Sequence, residues 1–121
     1  MKQILVVDDS ATMRRMVMAS LRSLTDVKFE EAANGLEAIE QLAIASVDLM
    51  ILDLNMPDMH GMDVLKFVRE HQSYSEIPIV VLTTKGDQYT HMTAIGAGAS
   101  RYMTKPFDPQ TLATQVIELL N

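Results

Sequence analysis

Five side chains of complementary chemistry stand directly after short apolar runs in this 121-residue chain. Asp8 and Asp9 follow Ile4-Leu5-Val6-Val7, Asp53 follows Leu49-Met50-Ile51-Leu52, Thr83 follows Ile79-Val80-Val81-Leu82, and Lys105 follows Tyr102-Met103-Thr104. Carboxylates brought within a few ångströms of one another repel and raise one another's pKa unless a cation sits among them. A donor set made of oxygens, with no histidine or thiolate, selects a hard ion, and a site that keeps waters and meets phosphate suits Mg²⁺. A carboxylate is a weak but competent nucleophile toward phosphorus. In phosphoryl transfer the protein contributes mainly positioning and neutralisation of charge, which is work for a metal and a lysine.

These residues act together only if the chain gathers them. Short β-branched-rich runs separated by helical patterns read as buried parallel strands. Strands are expected at Gln3–Asp8, Lys28–Ala32, up to Asp53, from Ile79 to Thr83, and at Arg101–Thr104, with the second a weak edge strand. Between them lie amphipathic helical stripes. The first carries Met13, Met16, Val17, Leu21 and Leu24; the second, after an Asn34-Gly35 turn, Leu36, Ile39, Leu42 and Ala43; the third Val64, Leu65 and Val68. The fourth helix, about Gln88 to Ala97, is the poorest former, since it contains Thr90, Thr93 and Gly96. Gly98 is suited to cap it. Asp108-Pro109 opens the last helix, with Leu112, Val116 and Leu119 on its stripe. Pro78 precedes the fourth strand without removing a needed donor.

Five such units predict an α/β three-layer sandwich, (βα)5 and flavodoxin-like, with right-handed crossovers. The carboxyl ends of parallel strands share one edge, and ligands bind there where the winding reverses. If strands one and three are neighbours, as in the parallel order 2-1-3-4-5, the three aspartates share that crevice.

The bulk composition agrees. One domain spanning 1–121 is expected. Sixteen acids against ten bases give a net charge of −6, which argues against general nucleic-acid binding. The chain has no cysteine, so disulfides and thiolate zinc sites are excluded. No apolar run approaches bilayer length, and the acids after the first run argue against a signal peptide. A cytoplasmic monomer without membrane insertion is the expectation. Ten methionines and no tryptophan point to an adaptable core.

The segments Val6-Val7-Asp8-Asp9-Ser10, Leu52-Asp53-Leu54-Asn55-Met56-Pro57 with Gly61, Leu82-Thr83-Thr84, and Tyr102-Met103-Thr104-Lys105-Pro106-Phe107 resemble the receiver domains of bacterial response regulators, most closely the single-domain chemotaxis regulators. The resemblance spans essentially the whole chain. It implies that Asp53 is the phospho-acceptor for a histidine kinase's phosphohistidine. It implies that Asp8, Asp9, Asp53 and the backbone carbonyl of Asn55 hold Mg²⁺, and that Thr83 and Lys105 bind the phosphoryl oxygens. Tyr102 would be the aromatic that turns inward on activation, and Lys105-Pro106 a cis bond.

So read, the chain is a stand-alone response regulator of a two-component, chemotaxis-like system. It is a phospho-acceptor signalling protein that catalyses only its own phosphorylation and dephosphorylation. Its implied partners are a sensor histidine kinase (CheA-like) and a downstream protein such as the flagellar motor switch or another phosphorelay protein, met through helix four, strand five and helix five. No output domain is expected beyond Asn121.

Other readings compete less well. A Mg²⁺-dependent phosphohydrolase would carry an acid two residues after its nucleophile, where this chain has Asn55. An FMN carrier would have a serine-, threonine- and glycine-rich first loop, whereas Asp8-Asp9 repels phosphate. The full residue set argues against a receiver that never takes phosphate. Strand alternation leaves open which of Thr83 and Thr84 faces the site; the resemblance favours Thr83. Asn55 and Lys85 flank the site. His60, His71 and His91 read as solvated surface, Arg14-Arg15 and Arg22 as exposed decoration of helix one, and Gly35 and Gly61 as backbone turns.

Overall fold

The computed structural model describes residues 1–57, 59–84 and 86–121. Five strands alternate with five helices: β1 Lys2–Val7, α1 Ala11–Ser20, β2 Val27–Ala32, α2 Gly35–Ile44, β3 Leu49–Leu52, α3 Gly61–Glu70, β4 Ile79–Thr83, α4 Gln88–Gly96, β5 Arg101–Thr104 and α5 Pro109–Leu120. The strands pair in parallel in the order β2-β1-β3-β4-β5, the order that makes neighbours of strands one and three.

Each strand alternates its side chains between two cores, as the pleat requires. Leu5, Val7, Met50, Leu52, Ile79 and Val81 point to the side covered by α2, α3 and α4. Ile4, Val6, Leu49, Ile51, Val80 and Leu82 point to the other side, where Val17 and Leu21 from the α1 side and Leu112 and Val116 of α5 cover them. The central strands are buried on both faces, which is why they read as unbroken apolar runs rather than as alternation.

Helix starts follow local chemistry. Ser10, Asn34, Asp87 and Asp108 each accept a backbone N–H from the first turn, satisfying a donor that has no partner inside its helix. Asn34-Gly35 is therefore a cap and first helical residue rather than a free turn. Gly98, with φ of 113°, follows the end of α4 in the conformation that favours glycine.

Two of the expected stripes are rotated. In α2 the buried residues are Gly35, Ala38 and Leu42, while Leu36 is 64% exposed and Ala43 also faces out. Gly35 packs against Met59, whose Cβ would lie 2.5 Å from a β-carbon at position 35, and small Ala38 rather than Leu36 turns into the core. In α1, Val17 is buried but Met16 is exposed.

One side chain ties three segments together. Arg69, near the end of α3, donates Nε–H to the Gly98 carbonyl (2.9 Å) and Nη1–H to the carbonyls of Ser75 (3.1 Å) and Ile77 (2.6 Å). A β-carbon at position 98 would lie 2.7 Å from Arg69 Cγ, so the glycine serves this contact as well as the turn.

Candidate functional site

The backbone ladder continues one residue past several strands and thereby assembles the site. Asp8 N–H donates to the Ala32 carbonyl (3.1 Å), Asp53 N–H to Val7 (3.0 Å), and Lys105 N–H to Thr83 (2.8 Å). The residues following β1, β3 and β5 are thus brought to the edge of the sheet where β4 ends in Thr83. Lys105-Pro106 is cis, as the resemblance implied.

Asp8, Asp9 and Asp53 each offer a carboxylate oxygen, and these oxygens lie within 4.8 Å of one another. Asp8 and Asp53 are buried and Asp9 is exposed, so the trio opens to solvent on one side. The Lys105 ammonium, also largely buried, donates to Asp8 Oδ2 at 2.6 Å and stands 3.6 Å from Asp53 Oδ2. Asp8 Oδ1 accepts Ser10 N–H at 2.9 Å, and Asp53 Oδ1 accepts Asn55 N–H at 3.2 Å. Thr83 is fully buried, and its hydroxyl hydrogen-bonds to Asp53. Thr84 is exposed and accepts the Asn55 side-chain amide at 3.0 Å. Of the two threonines, Thr83 is the one bonded to the Asp53 carboxylate.

Burial pushes the Asp53 carboxyl above its ordinary value. The Asn55 N–H and then the Lys105 charge oppose that rise, the Asp8 charge adds to it, and the Thr83 hydroxyl opposes it. The net result marks a carboxylate whose charge the fold compensates incompletely. Three oxygen donors with excess negative charge and an open side fit a hard divalent cation.

Gly61 holds this arrangement from beneath. It opens α3, donates its N–H to the Leu54 carbonyl, and sits so close that a β-carbon would fall 2.3 Å from the Asp53 carbonyl oxygen. Only a residue without a side chain permits that approach. The sequence showed a turn glycine here; its contact with the Asp53 backbone is a tertiary fact.

Tyr102 stands apart from the acids. It is half-buried on β5, its ring packed against the α2–α4 core and stacked on His91 of α4, centroids 4.5 Å apart and planes 6° from parallel. Burial and the Asp87 charge raise the Tyr102 phenol's pKa. His91 is exposed, as expected, but it is not solitary. Arg14 departs from its expected role as decoration: it reaches Asp8 and Glu31, with its side chain 14% exposed. No periodic signal separates such an arginine from a solvated one. Lys85 lies outside the described residues.

The family of response regulator receiver domains matches residues 4–117 of the chain. This protein is a response regulator receiver domain. The receiver is 45% identical over 111 residues to chemotaxis protein CheY1 of Helicobacter pylori, covering 91% of this chain and 90% of the relative. The solved structure of chemotaxis protein CheY4 of Vibrio cholerae superposes with a TM-score of 0.90 at 36% identity, covering 99% of each chain. The Mn²⁺-bound form of the response regulator Rcp1 is similar at a TM-score of 0.83 and 28% identity, covering 98% of this chain and 91% of that one. The chain is thus a CheY-like receiver of two-component signalling. No helix among its described residues is long and apolar enough to cross a membrane.

Proposed function

We propose that this receiver is a phosphorylation-controlled switch whose phospho-acceptor is Asp53. The observation that carries the reading is the position of Asp53: buried, paired with two further carboxylates, and 3.6 Å from the Lys105 ammonium. Asp8 is the poorer nucleophile of the two buried acids, since Lys105 holds it at 2.6 Å. Asp53 stands farther from that ammonium, at 3.6 Å, and carries the raised pKa.

An Asp53 carboxylate oxygen attacks the phosphorus of a kinase phosphohistidine. A P–O bond forms, the P–N bond breaks, and the imidazole leaves and takes up a proton. Water later attacks phosphorus, releasing orthophosphate and restoring the carboxylate. Asp8, Asp9, Asp53 and the Asn55 carbonyl would hold Mg²⁺, which when bound would supply positive charge against the phosphoryl oxygens. The Mn²⁺-bound relative supports a divalent ion in this fold. Lys105 and the Thr83 hydroxyl face the same oxygens, and each must reorient toward the new group.

Output follows from the same contacts. Thr83 drawn toward the phosphoryl group opens space near Tyr102, whose ring leaves His91 and turns inward, and α4 moves with it. The face of α4, β5 and α5 then meets the downstream protein. Tyr89, Met92 and Ile95, at i, i+3 and i+6 of α4, are exposed, and apolar groups aligned on one helix face suit protein docking. The names of the relatives favour chemotaxis; the target would be a flagellar motor switch or a phosphorelay protein, as the sequence resemblance implies.

Intact mass after treatment with a small phosphodonor tests the chemistry. A phosphoryl adduct is expected with Mg²⁺, absent without it, and absent in Asp53→Asn. An adduct of equal yield on the variant would overturn the assignment.

A further inference from the structure

Arg14 lies on α1, one turn after the acidic pair, where a helical arginine is ordinarily solvated. Its Nη1–H donates to the Asp8 carbonyl at 2.5 Å and its Nε–H to Glu31 Oε1 at 2.8 Å. Glu31 belongs to β2, whose ladder with β1 ends at the pair Val7 and Ala32. Beyond that pair the Asp8 N–H still finds the Ala32 carbonyl, but the Asp8 carbonyl has left the ladder. Arg14 satisfies it instead.

That carbonyl belongs to the peptide plane joining Asp8 to Asp9, so whatever fixes it also fixes the direction in which Asp9 leaves the chain. Asp8 has other anchors, namely Ser10 N–H and Lys105 on its carboxylate. Asp9 is exposed, and none of the described residues donates a hydrogen bond to its carboxylate. Its place in the trio depends on the backbone before it. We infer that Arg14, braced by Glu31, is a positioning residue that sets the Asp8–Asp9 peptide plane and so the cation affinity of the acidic trio. This rests on the reading that the trio holds Mg²⁺.

Charge and positioning make opposite predictions here, which renders the inference testable. Arginine presents a planar fork able to serve two acceptors at fixed geometry, whereas lysine is a point charge. Removing the guanidinium leaves Glu31 uncompensated near the site, and on charge alone that would tighten cation binding. Loss of positioning would loosen it, and outer groups that orient metal ligands are commonly worth tenfold or more in affinity.

The experiment is Mg²⁺ titration by calorimetry of the intact chain, well below the melting temperature, for wild type, Arg14→Ala and Arg14→Lys. Both variants are expected to bind Mg²⁺ about tenfold more weakly than wild type. The lysine variant fails despite its charge and guards against a folding defect in the alanine variant. Wild-type binding with variants of equal or tighter affinity overturns the inference alone. A wild type that takes up no Mg²⁺ overturns the reading of the trio, and the inference with it.

Discussion

At the scale of single residues, Asp53 is a destabilised group in the ion-free protein, because burial raises its pKa above the ordinary carboxylate value. A carboxyl with a raised native pKa binds its proton more tightly folded than unfolded. Its contribution to stability is therefore fully present below the unfolded value and is lost as pH rises through the native one. Asp53→Asn removes the charge, so without divalent ions the variant is expected to be more stable than wild type at neutral pH. The difference should shrink toward zero in acid, and Mg²⁺ should narrow it at neutral pH by stabilising the wild type. Urea midpoints across pH, with and without Mg²⁺, check this. Most of the site residues were legible because each follows an apolar run. Arg14 was not, since its partners come from β1 and β2 and only the strand register brings them to it.

At the scale of elements, what the sequence makes plain and what it hides follow from packing. The strands stand out because β1, β3 and β4 are buried on both faces. The acids then select the strand order, since only neighbouring β1 and β3 unite Asp8 with Asp53. Helix α2 is different, because its apolar residues satisfy the helical period on more than one face. Gly35 and Ala38 win the inward side by being small, a criterion hydrophobicity does not contain. Leu42→Ala is accordingly expected to cost about 2–5 kcal/mol. Leu36→Ala, at an exposed position, should stay within about 0.5 kcal/mol. Chemical denaturation of the two variants distinguishes the faces; equal losses would restore the expected stripe.

At the scale of the whole molecule, the sheet edge where a phosphoryl group would arrive and the face proposed for a partner are joined through β4, β5 and α4. Helix α4 buries Ala94 alone and contains Gly96, where no atom of the described residues outside its own helical turn lies within 4 Å of where a side chain would begin. Loosely packed elements are the ones that rearrange at low cost. Loading of Asp53 is expected to alter amide hydrogen exchange in α4 and leave β1 and β3 unchanged; an α4 that exchanges identically in both states would refute the proposed route of output.

Arg69 would give the proposed rearrangement a direction. By grasping the Gly98 carbonyl together with those of Ser75 and Ile77, it rivets the far end of α4 to the body of the domain, while the near end follows Thr83 by a few residues. If α4 does move as proposed, a rod fixed at one tip would sweep like a clock hand, so small shifts beside the acids would become the widest excursions at Tyr89 and fade toward Gly98.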